Sequence, residues 1–370
     1  MRVPFIDLTG AYEELRVDID AAVHRVLSSG AYILGREVDR FEAEYAAYTE
    51  ARHAVGVANG LEALVLALRA LGIGPGDEVL VPANTYIATW LAVSEVGATP
   101  VGVEPDPSTR NIDIAAAEAL VGPRTTALIV VHLHGQPADL DAARALAERR
   151  GLALIEDAAQ CHGARHRGAR IGAHSDAVAW SFYPTKNLGA MGDAGAVTTN
   201  RADVADKIRV LRNYGSRVRY YNEVRGKNCR LDELQAAILL AKLPRLDEWN
   251  ARRQRLAARY AEHLRDIVQL PAVVPDSEHV YHLFVVDHPR RDELQRHLAQ
   301  RGIAALIHYP VPPHLSEAYR DLGLPKGAFP ITERAAETHL SLPIGPHMPD
   351  AQADYVIDSV RSFSPEPARR

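Results

Sequence analysis

SFYPTKNLGAMGDAGAV, residues Ser181 to Val197, is the stretch whose reading decides the fold. The apolar run AVAWSF (177–182) feeds it, so a short strand delivers a hydroxyl on Ser181, a ring on Tyr183 and an amine on Lys186. The small residues that follow leave room for something flat beside the lysine. A lysine just past a buried strand is costly unless its charge is paired or its amine does chemistry. Taken alone, the simpler reading is a packed stem with its head in water. A second stretch changes that reading. GLALIEDAAQCHGA (151–164) is another apolar strand, ending in Glu156, Asp157 and Gln160. Lysine, carboxylate and amide at successive strand ends are the parts needed to hold pyridoxal phosphate (PLP): Lys186 forms the Schiff base and Asp157 pairs with the pyridinium nitrogen.

Working upstream, strands alternate with helices. HAVGVANGLEALVLALRAL, EVLVPANTYIATWLAVSEVG, ATPVGVEPD and TTALIVVHLHG each open on a short apolar run, and DLDAARALAERR forms the helix before GLALIEDAAQ. Units of this length imply an α/β fold with a mostly parallel sheet flanked by helices. Ligands of such sheets lie beyond the carboxyl ends of the strands. Gly60, Leu61, Tyr86, Asp157 and Lys186 all sit at such ends. Gly60 and Leu61 open a helix whose free amides suit a phosphate, although an ordinary strand-to-helix turn has the same sequence. Leu61 carries no hydroxyl, so the backbone acts alone there. Tyr86 either stacks on a planar ring or fills core.

Before the sheet, EELRVDIDAAVHRVLSSG and REVDRFEAEYAAYT read as two amphipathic helices, with GAYILG as the turn between them. Beyond the lysine, ADVADKIRVLRNYG is helical and SRVRYYNEVRGKN is polar and irregular. RLDELQAAILLAKLPRLDEWNARRQRLAARYAEHL is a long helical pattern broken at Pro244, which suits a connector between a large domain (1–245) and a smaller α+β domain (246–370). Strands are expected at HVYHLFVVDH and IAALIHYP, helices at RDELQRHLAQRG, TERAAETHLSL and DAQADYVIDSVRSF. The tail SPEPARR reads as frayed.

The 370 residues carry a formal charge of -5, which offers no general attraction to nucleic acid. No apolar run is long enough to span a membrane, and MRVPFIDLTG lacks the pattern of a signal peptide. A cytoplasmic protein is the expectation. Cys161 and Cys229 make no disulfide framework. The pairs His132/His134 and His162/His166 lack a third ligand at metal spacing, so no metal is expected.

With VPANTYIAT, EDAAQ, SFYPTKNLGA, LRNYGS, RLDELQAA and IHYPVPPH in view, the chain resembles the DegT/StrS family of nucleotide-sugar aminotransferases, from FIDL at the N-terminus to LSLPIGPHM near the C-terminus. The resemblance implies the aspartate-aminotransferase architecture (PLP fold type I), with a seven-stranded mixed sheet. It implies that Lys186 holds the cofactor and moves the substrate proton, that Asp157 keeps the pyridine nitrogen protonated, and that Gln160 lies beside the phenolic oxygen. Ser181, the Gly60–Leu61 amides and Asn228 match the phosphate cradle, and Tyr86 the stacking ring. Asn228 comes from the partner subunit in that family, which implies a homodimer with shared active sites. The polar stretch before it would send Arg219 and Tyr221 to the neighbour's substrate. Cys229 stands where serine is usual. Glu62 stands where an acidic residue is usual, with no role derived from sequence.

Within the family, Tyr183 before Pro184, the run GAMGDAGA, NTYIATW and HYPVPPH resemble the branch that makes 3-amino-3,6-dideoxysugars. The implied reaction converts dTDP-3-keto-6-deoxyhexose to the 3-amino sugar with L-glutamate as donor, in deoxyaminosugar biosynthesis. Tyr183, Arg219, Tyr221, His308 and Tyr309 are the candidates for presenting the sugar. The alternatives are a 4-keto-sugar aminotransferase and a PLP-binding sensor without catalysis. The deoxygenating branch of the family replaces the lysine with histidine, and Lys186 argues against it.

Overall fold

The computed structural model describes residues 1–363, so SPEPARR (364–370) lies outside the described residues. Seven strands form the central sheet: β1 (His53–Val57), β2 (Glu78–Pro82), β3 (Thr99–Val103), β4 (Thr125–Val131), β5 (Ala153–Asp157), β6 (Ala177–Ser181) and β7 (Gly195–Thr199). Their spatial order is β1-β7-β6-β5-β4-β2-β3. β6, β5, β4, β2 and β3 pair in parallel, and β7 runs antiparallel to both β6 and β1. The sheet is therefore mixed through one strand, the one that follows the lysine loop. Side chains alternate between the two faces, as the pleat requires. Leu80, Leu128, Val130, Leu154 and Trp180 join one core; Val79, Val81, Ile129, Ile155 and Ala179 join the other.

Helices α4 (Gly60–Ala70) and α5 (Ile87–Glu95) follow β1 and β2. Both lie in the second core, with Leu64, Leu66, Leu68 and Trp90 almost fully buried. A third apolar cluster gathers Leu256 and Tyr260 of α10 (Leu246–Leu264), Leu294, Leu298, Val356 and Val360, and takes in Val3 from the N-terminus. Helix α9 (Glu233–Lys242) meets α10 through one short 3-10 turn at Leu243–Arg245, so Pro244 marks a joint in the helical run and not a gap. No helix among the described residues is long and apolar enough to cross a membrane.

Three local expectations are corrected. The first N-terminal helix is two, Thr9–Glu14 and Arg16–Ser29, because Leu15 leaves helical geometry to pack with Ile19, Ile238 and Trp249. HLSL does not extend the helix Pro330–Thr338; it is a strand, His339–Leu342, antiparallel to Phe284–Asp287. Leu340 and Leu342 alternate into the third cluster, and that period of two outweighs helix propensity. IAALIHYP and the start of HVYHLFVVDH are not regular strands: Ile303 and Leu306 make only isolated bridges, while His279 and His282 are buried in irregular backbone. The GAYILG turn is held from a distance. Glu233 accepts hydrogen bonds from the amides of Gly35, Glu37 and Val38, satisfying the free N–H groups that open the helix Arg36–Tyr48.

Candidate active site

The register of β5 and β6 brings the two decisive stretches together. Asp157 pairs with Ala179, two residues before Ser181, so the carboxylate and the hydroxyl end adjacent strands. The lysine loop then folds back on itself. Lys186 N–H donates to the Tyr183 carbonyl at 2.8 Å, closing a turn. Two of the glycines that follow are crossing points of backbone. A Cβ on Gly189 would fall 2.4 Å from the Pro184 carbonyl oxygen, and one on Gly195 2.4 Å from that of Asn59. They are glycine because backbone crosses backbone there.

Lys186 is half-buried along its length with its head enclosed by protein, and its ammonium has no hydrogen-bond or ion-pair partner among the described residues. Burial lowers its pKa to about 8, with Asp157 opposing that shift. About a tenth of the amine is then neutral at pH 7, against less than about a thousandth at the ordinary value. The surrounding histidines do not add charge. His162, packed on Trp180 and Phe182, is held down to about 3 by burial, and His308 to about 4 by burial and by Lys186. His282 is likewise pushed well down by burial.

Asp157 is buried, and burial raises its pKa despite two hydrogen bonds that oppose it. Thr89 Oγ1 donates to one carboxylate oxygen at 2.9 Å and the Ala159 amide to the other at 3.2 Å. Thr85 and Thr89 share a further hydrogen bond at 3.0 Å. The sequence reading missed Thr89; the signal was its i, i+4 spacing from Thr85, which sets both on one face at the start of α5. Also missed was His132. Its Nδ1 accepts from the Ala138 amide at 3.0 Å, so its Nε2 carries the proton donated to Glu156 at 2.9 Å. This fully buried pair braces the strand end beside Asp157.

Gln160 donates its amide N–H to the Tyr309 hydroxyl at 3.0 Å, and Tyr309 packs on Tyr86 with ring centroids 5.2 Å apart. Tyr86 is 54% exposed, so it is not core. Gly60 opens α4 directly against Ser181: a Cβ there would lie 2.6 Å from the Ser181 Cβ. Asn59 caps the same helix by accepting from the Glu62 amide at 2.9 Å. Glu62 itself pairs with Lys227 at 2.7 Å, which ties the helix start to the segment carrying Asn228 and supplies the role that sequence left open. His308 hydrogen-bonds Ser341 at 2.8 Å and stacks on Phe5.

Lys186, Asp157, Gln160, Ser181, Gly60, Leu61, Tyr86, Tyr183, His308 and Tyr309 thus lie at the carboxyl ends of β1, β2, β5 and β6, in the helix start and loops that follow them, or beside them. Three residues do not take part in their own chain's contacts there. Arg219 and Tyr221 lie on an exposed hairpin, Ser216–Val218 with Tyr221–Asn222, where the Arg219 guanidinium sits over the Tyr220 ring. Asn228 is exposed, and its side chain has no hydrogen-bond partner among the described residues. Among those residues no cluster could hold a metal ion.

The residues fit PLP on two structural observations. The buried Gln160 Oε1 lacks a partner, as an atom facing a ligand would. The absence of a Cβ on Gly60 lets the start of α4 close on Ser181, which sets free helix amides beside that hydroxyl, a pairing suited to a phosphate.

Residues 13–361 match the model of the DegT/DnrJ/EryC1/StrS aminotransferase family. The chain is 57% identical to the dTDP-3-amino-3,4,6-trideoxy-alpha-D-glucose transaminase of Streptomyces venezuelae, over 98% of this chain and 96% of that one. It is also 57% identical to the erythromycin biosynthesis sensory transduction protein EryC1 of Saccharopolyspora erythraea, over 98% of this chain and 100% of the relative. Its fold superimposes on the crystal structure of S. venezuelae DesV in complex with a ketimine intermediate with a TM-score of 0.96, covering 97% of this chain and 98% of that one. The chain belongs to the DegT/DnrJ/EryC1/StrS aminotransferase family. It is a PLP-dependent sugar aminotransferase with the α/β architecture of that family.

Proposed function

We propose that this enzyme places an amino group on C3 of a dTDP-linked 3-keto-6-deoxyhexose, the 4-deoxy form included, with L-glutamate as donor. The observation that carries the chemistry is Lys186: an enclosed amine without a partner, with its pKa lowered to about 8. Regiochemistry is supported by the 3-amino product in the name of the 57% identical S. venezuelae relative. Bound PLP supplies an aldehyde carbon that exchanges amino groups and a ring that takes up electrons. Lys186 would hold the cofactor and shuttle the proton at the substrate carbon. Asp157, fixed by Thr89 and Ala159, would keep its charge against the pyridinium nitrogen. Ser181 with the Gly60 and Leu61 amides would hold the phosphate, Gln160 the phenolic oxygen, and Tyr86 would cover the ring.

The sugar would be presented by Tyr183, His308 and Tyr309 of one subunit. Arg219 and Tyr221 of a second copy would complete it, and Asn228 of that copy would reach the phosphate. What supports this sharing is that all three side chains are exposed and unused by their own site. We further propose the division at 245/246 and a cytoplasmic location. The names of two relatives, the sensory transduction protein EryC1 and a pleiotropic regulatory protein of Geobacillus stearothermophilus, are what favours a PLP-binding sensor without turnover.

The test is a competition assay with dTDP-3-keto-6-deoxyglucose, its 4-deoxy analogue and the 4-keto isomer, with glutamate and product NMR. We expect amination at C3 and at least about tenfold selectivity over the 4-keto sugar, the scale of one well-placed hydrogen bond. Preference for the 4-keto sugar would overturn the regiochemistry, and no turnover with any of them would favour the sensor reading.

A further inference from the structure

A cavity of about 270 Å³ opens beside the lysine loop, walled by Lys186, Lys242, Arg253, Asp7, Met191 and Trp249 among others. Two of its cations meet only backbone carbonyls. Lys242 ends α9 at 5% exposure, and its ammonium makes one hydrogen bond, to the Gly189 carbonyl at 2.7 Å. An ammonium has three donors, so two remain. Arg253 is 2% exposed and donates through Nη1 to the carbonyls of Tyr281 and Ile344 at 3.3 Å and of His282 at 3.5 Å, while its buried Nε has no partner. Neither meets a carboxylate among the described residues.

Buried cations without counter-ions are costly, so a wall holding two of them favours an anion. Asp7 does not supply it in full. Its carboxylate accepts from the Thr9 amide and hydroxyl and from the Gly10 amide. Three cations therefore face one committed carboxylate. His347, on the same wall, is tied to Glu14 at 2.9 Å. Burial also lowers Lys242 to about 8, consistent with an ammonium waiting for a partner.

Size and position decide which anion. The volume lies below the roughly 300–1,000 Å³ of sites for drug-sized ligands, too small for a whole nucleotide sugar and ample for a dicarboxylate. Lys186 shares the wall, so a donor whose amine displaces the lysine from the cofactor's aldehyde carbon would extend its side chain toward Lys242. We propose that this cavity receives the distal carboxylate of the amino donor, with Lys242 as the residue that selects an acidic donor and Arg253 as its buried support. The inference rests on the reading of glutamate as donor.

The test uses the PLP-loaded enzyme and the variant Lys242→Gln, which removes the charge and keeps a donor for the Gly189 carbonyl. Calorimetry with glutarate, a dicarboxylate with no amine to react, should show binding weakened about 10- to 100-fold in the variant, the range for losing a charged hydrogen bond. Lys242→Arg should restore most of it, and dTDP should bind both proteins alike. In turnover, the ratio of kcat/KM for glutamate over alanine should fall by a similar factor. Unchanged glutarate binding would overturn the proposal. So would loss of dTDP binding, alone or together with glutarate, since the cavity would then serve the diphosphate or the fold. Absence of sugar amination in the unaltered enzyme would instead sink the proposed reaction, while the glutarate titration would still decide the cavity.

Discussion

Lys186→Ala should lower kcat by about four orders of magnitude, the upper end of what one positioned proton-transfer group contributes. The lysine is asked to do two things that no neighbour can take over. Its amine is enclosed and kept partly neutral, and the nearby His162 and His308 are held far below neutrality by burial, so neither binds a proton at pH 7. Asp157 is occupied by Thr89 and Ala159. Cofactor should still bind, because the phosphate cradle proposed at Gly60 and Ser181 does not involve the lysine. Visible spectra and a turnover assay on the variant check both halves. A variant that binds PLP and transaminates at the normal rate would remove Lys186 from the reaction.

The second large effect is a recovery. Lys186→Ala and Asn228→Ala homodimers should each be strongly impaired, and a mixture allowed to exchange subunits should regain about a quarter of normal activity. Half of randomly mixed dimers are heterodimers, and each carries one complete site of two under a two-fold arrangement. The motive is the exposed Asn228, on a segment anchored through Lys227 to Glu62 and yet unused by its own chain's site. Subunit exchange is followed by differently tagged subunits in native mass spectrometry, and activity by glutamate consumption. Demonstrated exchange without recovery would place the whole site within one chain.

Much of this was legible in the sequence because strand order and strand ends are local signals. Apolar runs of four or five residues ending in Asp157 and Ser181 mark the sheet, and a parallel register carries both to one edge. The partners of those residues were less visible. Thr89 lies inside an apolar helix, where one hydroxyl looks incidental until α5 is placed against Asp157. The His132–Glu156 pair spans two strands, and nothing in either strand announces the other. The glycines at 189 and 195 were legible as small but not as crossing points of backbone, since that depends on where Pro184 and Asn59 return in space. HLSL failed for a related reason: four residues carry too little period to outweigh the helix before them, and Phe284–Asp287 supplies the pairing.

Borohydride reduction of the PLP-loaded enzyme, followed by proteolysis and peptide mass spectrometry, tests the role of the lysine most directly. The reduced cofactor mass should appear on the peptide containing Lys186 at close to one per chain. Its appearance on Lys227, Lys242 or any other lysine instead, or on none, would contradict the assignment from which the site and its chemistry follow.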